Sequence, residues 1–338
     1  MNRTLRSVLA AAVMFGAATL SADAQSVDFS RKTINIYIGN TPGGSYDLYG
    51  RLVARYLGRY LPGTPSVVAE NMPGAGTLKA ANYIYGVAPK DGTALGIVSE
   101  LLAVEQALDN PAVKFDARKY NWVGRIASSN NIHMQWHTSK VQSIADLLQT
   151  ETPVAGTGPG NIAESVPKLL NAVIGAKFKI ISGYAAANEG MLAMERGEVE
   201  GAVASWAAVK IGKKAWLDDK KIKIILQDVP ERSKDLPDVP ALGELASKPE
   251  DKQLLNLYAS GGAIGRAFML PPGVKPEVVQ VLRDAFAKMA KDPDLLAEAE
   301  RIGLDIEPET GEFVQTAVSK TLDVPAAVLQ RAKTIFGR

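Results

Sequence analysis

Two short stretches of this 338-residue sequence carry the residue types and spacing that hold an anion. One is Thr41-Pro42-Gly43-Gly44-Ser45-Tyr46-Asp47, the other Gly156-Thr157-Gly158-Pro159-Gly160-Asn161. Each follows a β-rich apolar run and leads into a helical pattern. Glycine lets the backbone turn sharply at such a corner. The free N–H groups and dipole of the helix start then face whatever occupies it. A single corner of this kind is equally an ordinary strand-to-helix turn. Two of them, in matching positions of two similar units, point to one shared ligand, because ligands of open α/β sheets bind beyond the carboxyl ends of the strands.

The candidate ligand residues are therefore Thr41, Gly43, Gly44, Ser45 and Asp47 at the first corner. Gly156, Thr157, Gly158, Gly160 and Asn161 are their counterparts at the second. Ser99, Tyr184, Ser205 and Trp206 join them, because each stands at or just past the end of an expected strand. Asp47 has two uses open to it. At a helix start its carboxylate caps free N–H groups, whereas facing a cleft it would repel an anion and select an amine.

Reactive chemistry finds little support. Neither corner is followed by Gly-Lys-Ser/Thr, and Gly39 and Gly43-Gly44 lack the spacing of a dinucleotide fingerprint, so nucleotide cofactors are not expected. The two histidines, His133 and His137, lie in a stretch where Ile132, Met134 and Trp136 alternate with polar residues, which is strand periodicity. Four strand residues span about 13 Å, too far for one metal ion. There is no cysteine and no Gly-x-Ser-x-Gly elbow, which leaves a serine nucleophile few partners. Glu195, Glu198 and Glu200 with Arg196 are read as a charged turn leaving a helix. Binding without reaction is the expectation, with no cofactor and no metal.

The elements that must position these residues alternate as strand and helix, the pattern of α/β domains. Strand 33–39 runs through the first corner into a helix near 47–60. "PSVVAEN" and "DGTALGIVS" supply two further strands, and a helix near 101–108 follows. From about 120 the chain becomes extended with polar interruptions. The second unit then repeats the plan with "TPVAGTGPGN", a helix stopped at Gly175, and the strands "FKIISGY", "VEGAVASW" and "IKIILQ". Pro167 lies deep for a first turn, so that helix is expected to start late or to kink. "GRAFMLPPGV" reads as a returning strand, and four helices close the chain. Two of them open on Pro276 and Pro293, the latter capped by Asp292. The expected fold is α/β, a two-lobe clamshell. Residues 25–127 with 262–338 form one lobe, 128–261 the other, and the C-terminal helices sit on the first. The hinge falls near 125–129 and 260–266.

At the N-terminus, Arg3 and Arg6 precede an apolar stretch from Val8 to Leu20 and then Ala22-Asp23-Ala24. This has the form of a Sec-type signal peptide, residues 1–24, cut after Ala24. Its apolar core of about 13 residues is short of the ~20 a spanning helix needs. The mature chain is expected in the periplasm. A formal charge of +2 with no concentrated basic tract argues against nucleic acid as a partner.

"GGSYD", "AENMPGAG", "PKDGTALGIV" and "VLRDAFAKMAKDPDLLAEAE", in this order and spacing, resemble the extracytoplasmic receptors of tripartite tricarboxylate transporters, the Bug-type proteins. "ENMPGAG" with "APKDGTAL", and "PPGVKPEVVQVLRDAF", are the most specific pieces, and the likeness runs over nearly the whole mature chain. The resemblance implies a periplasmic binding protein of the type with two crossing strands. It also implies delivery of a carboxylate to a permease made of a small and a large membrane subunit. The loops it assigns to the ligand carboxylates correspond to residues 41–47 and 156–161. "ISGYAAANEGMLAMERGEVEG" replaces the family's more frequent Val-Pro-Tyr-Lys-Gly stretch, which marks a divergent branch whose acid need not be a tricarboxylate. A monomeric receptor for a small organic acid is expected. A ligand sensor feeding a signalling partner and a periplasmic enzyme using the same cleft are its alternatives.

Overall fold

Ile34, Ile36 and Ile38 alternate along the first strand and are all fully buried, while Tyr37 between them is buried on the opposite face. A strand buried on both sides is the mark of a sheet covered by helices on each face. The computed structural model describes residues 27–337 except residue 159, and the expected export signal lies outside them. Its first six strands in chain order are β1 (Thr33–Ile38), β2 (Ser66–Asn71), β3 (Ala94–Ile97), β4 (Asn121–Arg125), β5 (Asn131–Trp136) and β6 (Thr152–Gly156). They are followed by β7 (Phe178–Ser182), β8 (Gly201–Ser205), β9 (Ile222–Gln227), β10 (Ala267–Leu270) and β11 (Glu309–Thr310).

These strands form two sheets, ordered β11-β4-β10-β3-β1-β2 and β7-β6-β8-β5-β9. In the first, β1 runs parallel to β2 and β3, and the returning β10 is antiparallel between β3 and β4. In the second, β6 is parallel to β7 and β8, and β5 is antiparallel to β8 and β9. The architecture is α/β with two lobes, as expected. Both corners therefore stand at the carboxyl end of a parallel strand, β1 and β6.

Helix Ser45–Leu57 leaves the first corner with Leu52, Val53, Tyr56 and Leu57 buried against the sheet. Helix Ile162–Ile174 leaves the second. It starts where Asn161 accepts a hydrogen bond from the Ala163 N–H and ends on Gly175 in the left-handed region. The late start expected from Pro167 is not found: the proline sits inside the helix, buried. Asp292 caps helix Pro293–Arg301 through the Asp294 and Leu295 N–H groups.

The chain passes between the sheets after β4 and returns just before β10. The two crossings bond to each other, the Ile126 N–H to the Arg266 carbonyl at 3.1 Å and the Arg266 N–H to the Ala127 carbonyl at 2.9 Å. Helix Leu102–Ala107 lies between the lobes. Leu102 and Ala103 join the core around β3, while Val104 with the flanking Leu101 and Leu108 joins the core around Leu169, Leu170 and Tyr258. Helices Pro276–Met289 and Gly311–Leu322 pack on the first sheet, and Pro293–Arg301 packs on helix Ser45–Leu57 in the same lobe. The last helix, Ala326–Phe336, departs from the expected placement of the C-terminal helices. It packs against helices Ile162–Ile174 and Pro249–Ala259, and its Val328 and Ala332 are buried in the second core.

Candidate functional site

A strand that ends at a sheet's carboxyl edge must turn, and the residues of that turn face the gap between the lobes. The gap encloses a cavity of about 90 Å³, well above the ~10–15 Å³ that one water needs. Thr41, Gly44 and Ser45 line it from the first corner and Ser99 from the end of β3. Asn161 and Ser205 line it from the second lobe.

The other expected residues stand behind this lining. The Gly43 N–H donates to Asp47 Oδ2 at 2.9 Å, and its carbonyl accepts from Asn188 Nδ2 of the opposite lobe at 3.1 Å. Asp47 is outside the cavity, buried and paired with Arg51 at 2.9 Å. Gly156 faces Ile180, and Gly160 faces Glu105. Thr157 has a buried hydroxyl without a partner. The Gly158 N–H donates to Glu164 Oε2 at 3.1 Å. Tyr184 packs at the edge of the second lobe's apolar core. Trp206 donates from Nε1 to Asp235 at 2.9 Å.

The two corners thus share a device that sequence reasoning did not resolve. Each following helix supplies an acid, Asp47 or Glu164, that takes a glycine N–H of its own corner. Burial pushes the Asp47 carboxyl up, but Arg51, the Gly43 N–H and Asn71 together outweigh burial and hold it below the usual range. A depressed carboxylate stabilises the fold above its unfolded pKa of about 3.9, and that stability is lost as pH falls through the folded value. Asp47→Asn is expected to lower the unfolding free energy at pH 7 by about 1–3 kcal/mol. The deficit should shrink as the pH drops below about 4, which urea melts at the two pH values measure.

Two charged residues missing from the expected set dominate the cavity. Arg266, in the returning crossing, and Glu100, one residue past Ser99, both line it and pair at 3.1 Å with side chains 2% and 4% exposed. Arg266 Nη1 also donates to Ser129 Oγ at 3.0 Å and Nη2 to Ser45 Oγ at 3.0 Å, while Nε is buried without a partner. The Tyr46 ring covers the guanidinium carbon at 4.0 Å, and its hydroxyl accepts the Glu100 N–H at 3.0 Å. Glu100 Oε1 accepts from Asn131 Nδ2 at 2.9 Å and from Ser129 Oγ at 3.1 Å. Thr77 and Asn188 complete the polar wall. The signals for this pair were a lone arginine in an otherwise apolar and glycine-rich crossing, and an acid at a strand's carboxyl end.

The histidines serve the second lobe's core. His133 Nε2 lies 2.9 Å from Asp228 Oδ1, both fully buried, and the carboxyl is raised by that burial, His133 opposing the rise. Away from the cavity, Lys210 Nζ bonds Asp305 across the lobes at 2.8 Å and Asp235 at 2.9 Å.

Comparison with known proteins adds the following. A family model described as the tripartite tricarboxylate transporter family receptor matches residues 51–321. A Cupriavidus necator protein, described as the UPF0065 protein in gbd 5'region, is 25% identical over 340 residues, covering 96% of this chain and 94% of that one. The solved periplasmic binding protein BugD aligns with a TM-score of 0.70 and 16% identity, over 91% of this chain and 99% of its own. R. palustris Rpa4515, solved with adipate, aligns with a TM-score of 0.69 and 19% identity, over 92% and 99%. At such identities the two structures share the fold.

Proposed function

The chain belongs to the tripartite tricarboxylate transporter receptor family, and on that premise we propose that it captures a small carboxylate between its lobes and delivers it to a membrane permease of one small and one large subunit. Proteins of this family and fold are solute-binding receptors, not enzymes, and this chain acts as a receptor alone. It works in the periplasm as a monomer, exported by the signal at residues 1–24. No helix among the described residues is long and apolar enough to cross a membrane.

One observation carries the proposal: a buried arginine with an unpartnered Nε borders a polar cavity between two lobes. An acid is the ligand that satisfies it. Residues 25–127 with 262–322 act as one jaw, and residues 128–261 with the last helix, Ala326–Phe336, as the other. Thr41, Gly44, Ser45 and Ser99 hold the acid from the first jaw, Asn161 and Ser205 from the second. Gly43, Asp47, Gly156, Thr157, Gly158, Gly160, Tyr184 and Trp206 shape the two walls behind them. A ligand drives closure only by the difference in its affinity for the closed and open forms. Here the difference arises because closure alone brings both jaws onto one molecule.

A thermal-shift screen of mono-, di- and tricarboxylates tests this. An acid present at about 100 times its Kd adds about 2.7 kcal/mol to the native state, a rise of several degrees in Tm. No shift with any acid would overturn the proposal, and a shift from a sugar or an amine would name the ligand class that replaces it.

A further inference from the structure

Arg266 and Glu100 are the only charged side chains among the described residues lining the cavity, and they neutralise each other at 3.1 Å. The corners add less positive potential than two helix starts would suggest. The Gly43 N–H is held by Asp47 and the Gly158 N–H by Glu164, so each helix start already carries its own carboxylate. A second carboxylate on the ligand would therefore enter the cavity without a cation to meet it. A buried charge left unpaired is unfavourable.

The remaining donors of the arginine are defined. A guanidinium carries five N–H groups. Nη1 directs its two at Glu100 Oε2 and Ser129 Oγ, and Nη2 directs one at Ser45 Oγ. That leaves Nε–H and one Nη2–H; Nε and Nη2 are neighbours on one edge of the planar group, the edge whose geometry matches the two oxygens of a carboxylate. On the acid side, Glu100 Oε1 accepts two hydrogen bonds and Oε2 one, from Arg266. One lone pair of Oε2 is left to accept a ligand donor.

Resting on the carboxylate-receptor proposal, we infer that the ligand is a small organic acid of net charge −1. Its single unpaired carboxylate takes the Nε edge of Arg266, and a hydroxyl or ammonium group on the same molecule donates to Glu100. Fully ionised di- and tricarboxylates are the disfavoured ligands of this cavity. The Arg266–Glu100 pair is thereby its specificity determinant: the arginine admits one carboxylate, and the glutamate rejects a second while rewarding a donor.

Calorimetric titration of the purified mature protein at pH 7.5 tests this with five acids. They are 3-hydroxybutyrate (one charge, hydroxyl), aspartate (net −1, ammonium), butyrate (one charge, no donor), succinate and citrate. At least one of the first two is expected to bind about tenfold or more tighter than butyrate, succinate and citrate. Which of the two leads identifies the donor. Glu100→Gln is expected to move the ratio of succinate to 3-hydroxybutyrate or aspartate affinity toward succinate by about tenfold or more. Succinate or citrate binding as tightly as the singly charged acids would overturn the inference alone. So would a Glu100→Gln variant that folds and keeps the wild-type ratio. Failure of every acid in this panel and in the wider carboxylate screen would remove the receptor proposal and the inference with it.

Discussion

Arg266→Met is expected to weaken carboxylate binding by roughly 10- to 150-fold and to destabilise the fold, the largest combined effect of any single substitution in the cavity. Two separate physical losses add. The ligand loses a two-pronged, charge-assisted contact worth about 1.5–3 kcal/mol, or roughly 10- to 150-fold in Kd. The protein is left with Glu100 buried beside Asn131 and Ser129 and no cation, and breaking a buried pair costs about 3–5 kcal/mol. The two losses separate in a second variant. Arg266→Met with Glu100→Gln removes the stranded charge while keeping an amide for the Asn131 and Ser129 contacts. It should recover most of the stability in a urea melt without recovering binding in calorimetry. An Arg266→Met protein with wild-type affinity would remove the arginine from the site.

Gly265→Ala is the second large effect, and it acts on the same arginine through the backbone. Gly265 has φ +52° and ψ −130°, a conformation that only glycine adopts freely. A Cβ there would overlap the Ala127 carbonyl oxygen and come within 3.0 Å of Ser128 Cα, both on the other crossing. The strain and the collision together cost about 2–5 kcal/mol. Relief requires the two crossings to part, which breaks the Arg266–Ala127 backbone bond and withdraws the guanidinium from Ser45 and Glu100. Affinity for the best-bound acid should fall about tenfold or more. Gly86→Ala is the control, because a Cβ at Gly86 meets nothing within 4 Å. If Gly265→Ala leaves both Tm and Kd where Gly86→Ala leaves them, the crossing does not position the arginine.

The elements were legible where one local cause sets them. Alternating isoleucines specify β1, an asparagine cap and a glycine stop bound helix Ile162–Ile174, and Asp292 opens its helix. Strand periodicity around His133 was legible for the same reason. Its partner Asp228 was not, because that contact joins positions 95 residues apart. The corners could be located because positive φ at Gly43, Gly158 and Gly160 demands glycine. Which corner atoms face the ligand depends on side-chain directions that no spacing encodes: the capping of free N–H groups by Asp47 was one of two readings left open, and the return of Glu164 onto its own loop carried no local signal. Arg266 is harder still. Its role exists only where two crossings, a strand end and a helix start meet. The second-lobe placement of Ala326–Phe336 likewise depends on packing against helices far away in sequence.

That last helix changes how the two lobes can move. Two adjacent passages of chain leave a pair of bodies free to swivel as well as to bend. Here residues 323–325 make a third passage, from helix Gly311–Leu322 on the first sheet to helix Ala326–Phe336 on the second core. It runs beside the returning crossing, since Ser260, Ala263, Thr321, Val324 and Pro325 border one groove. A row of connections resists torsion while still bending about its own line. In the proposed closure, three passages in a row would favour bending over swivelling, so that the two glycine corners approach each other in a constant register.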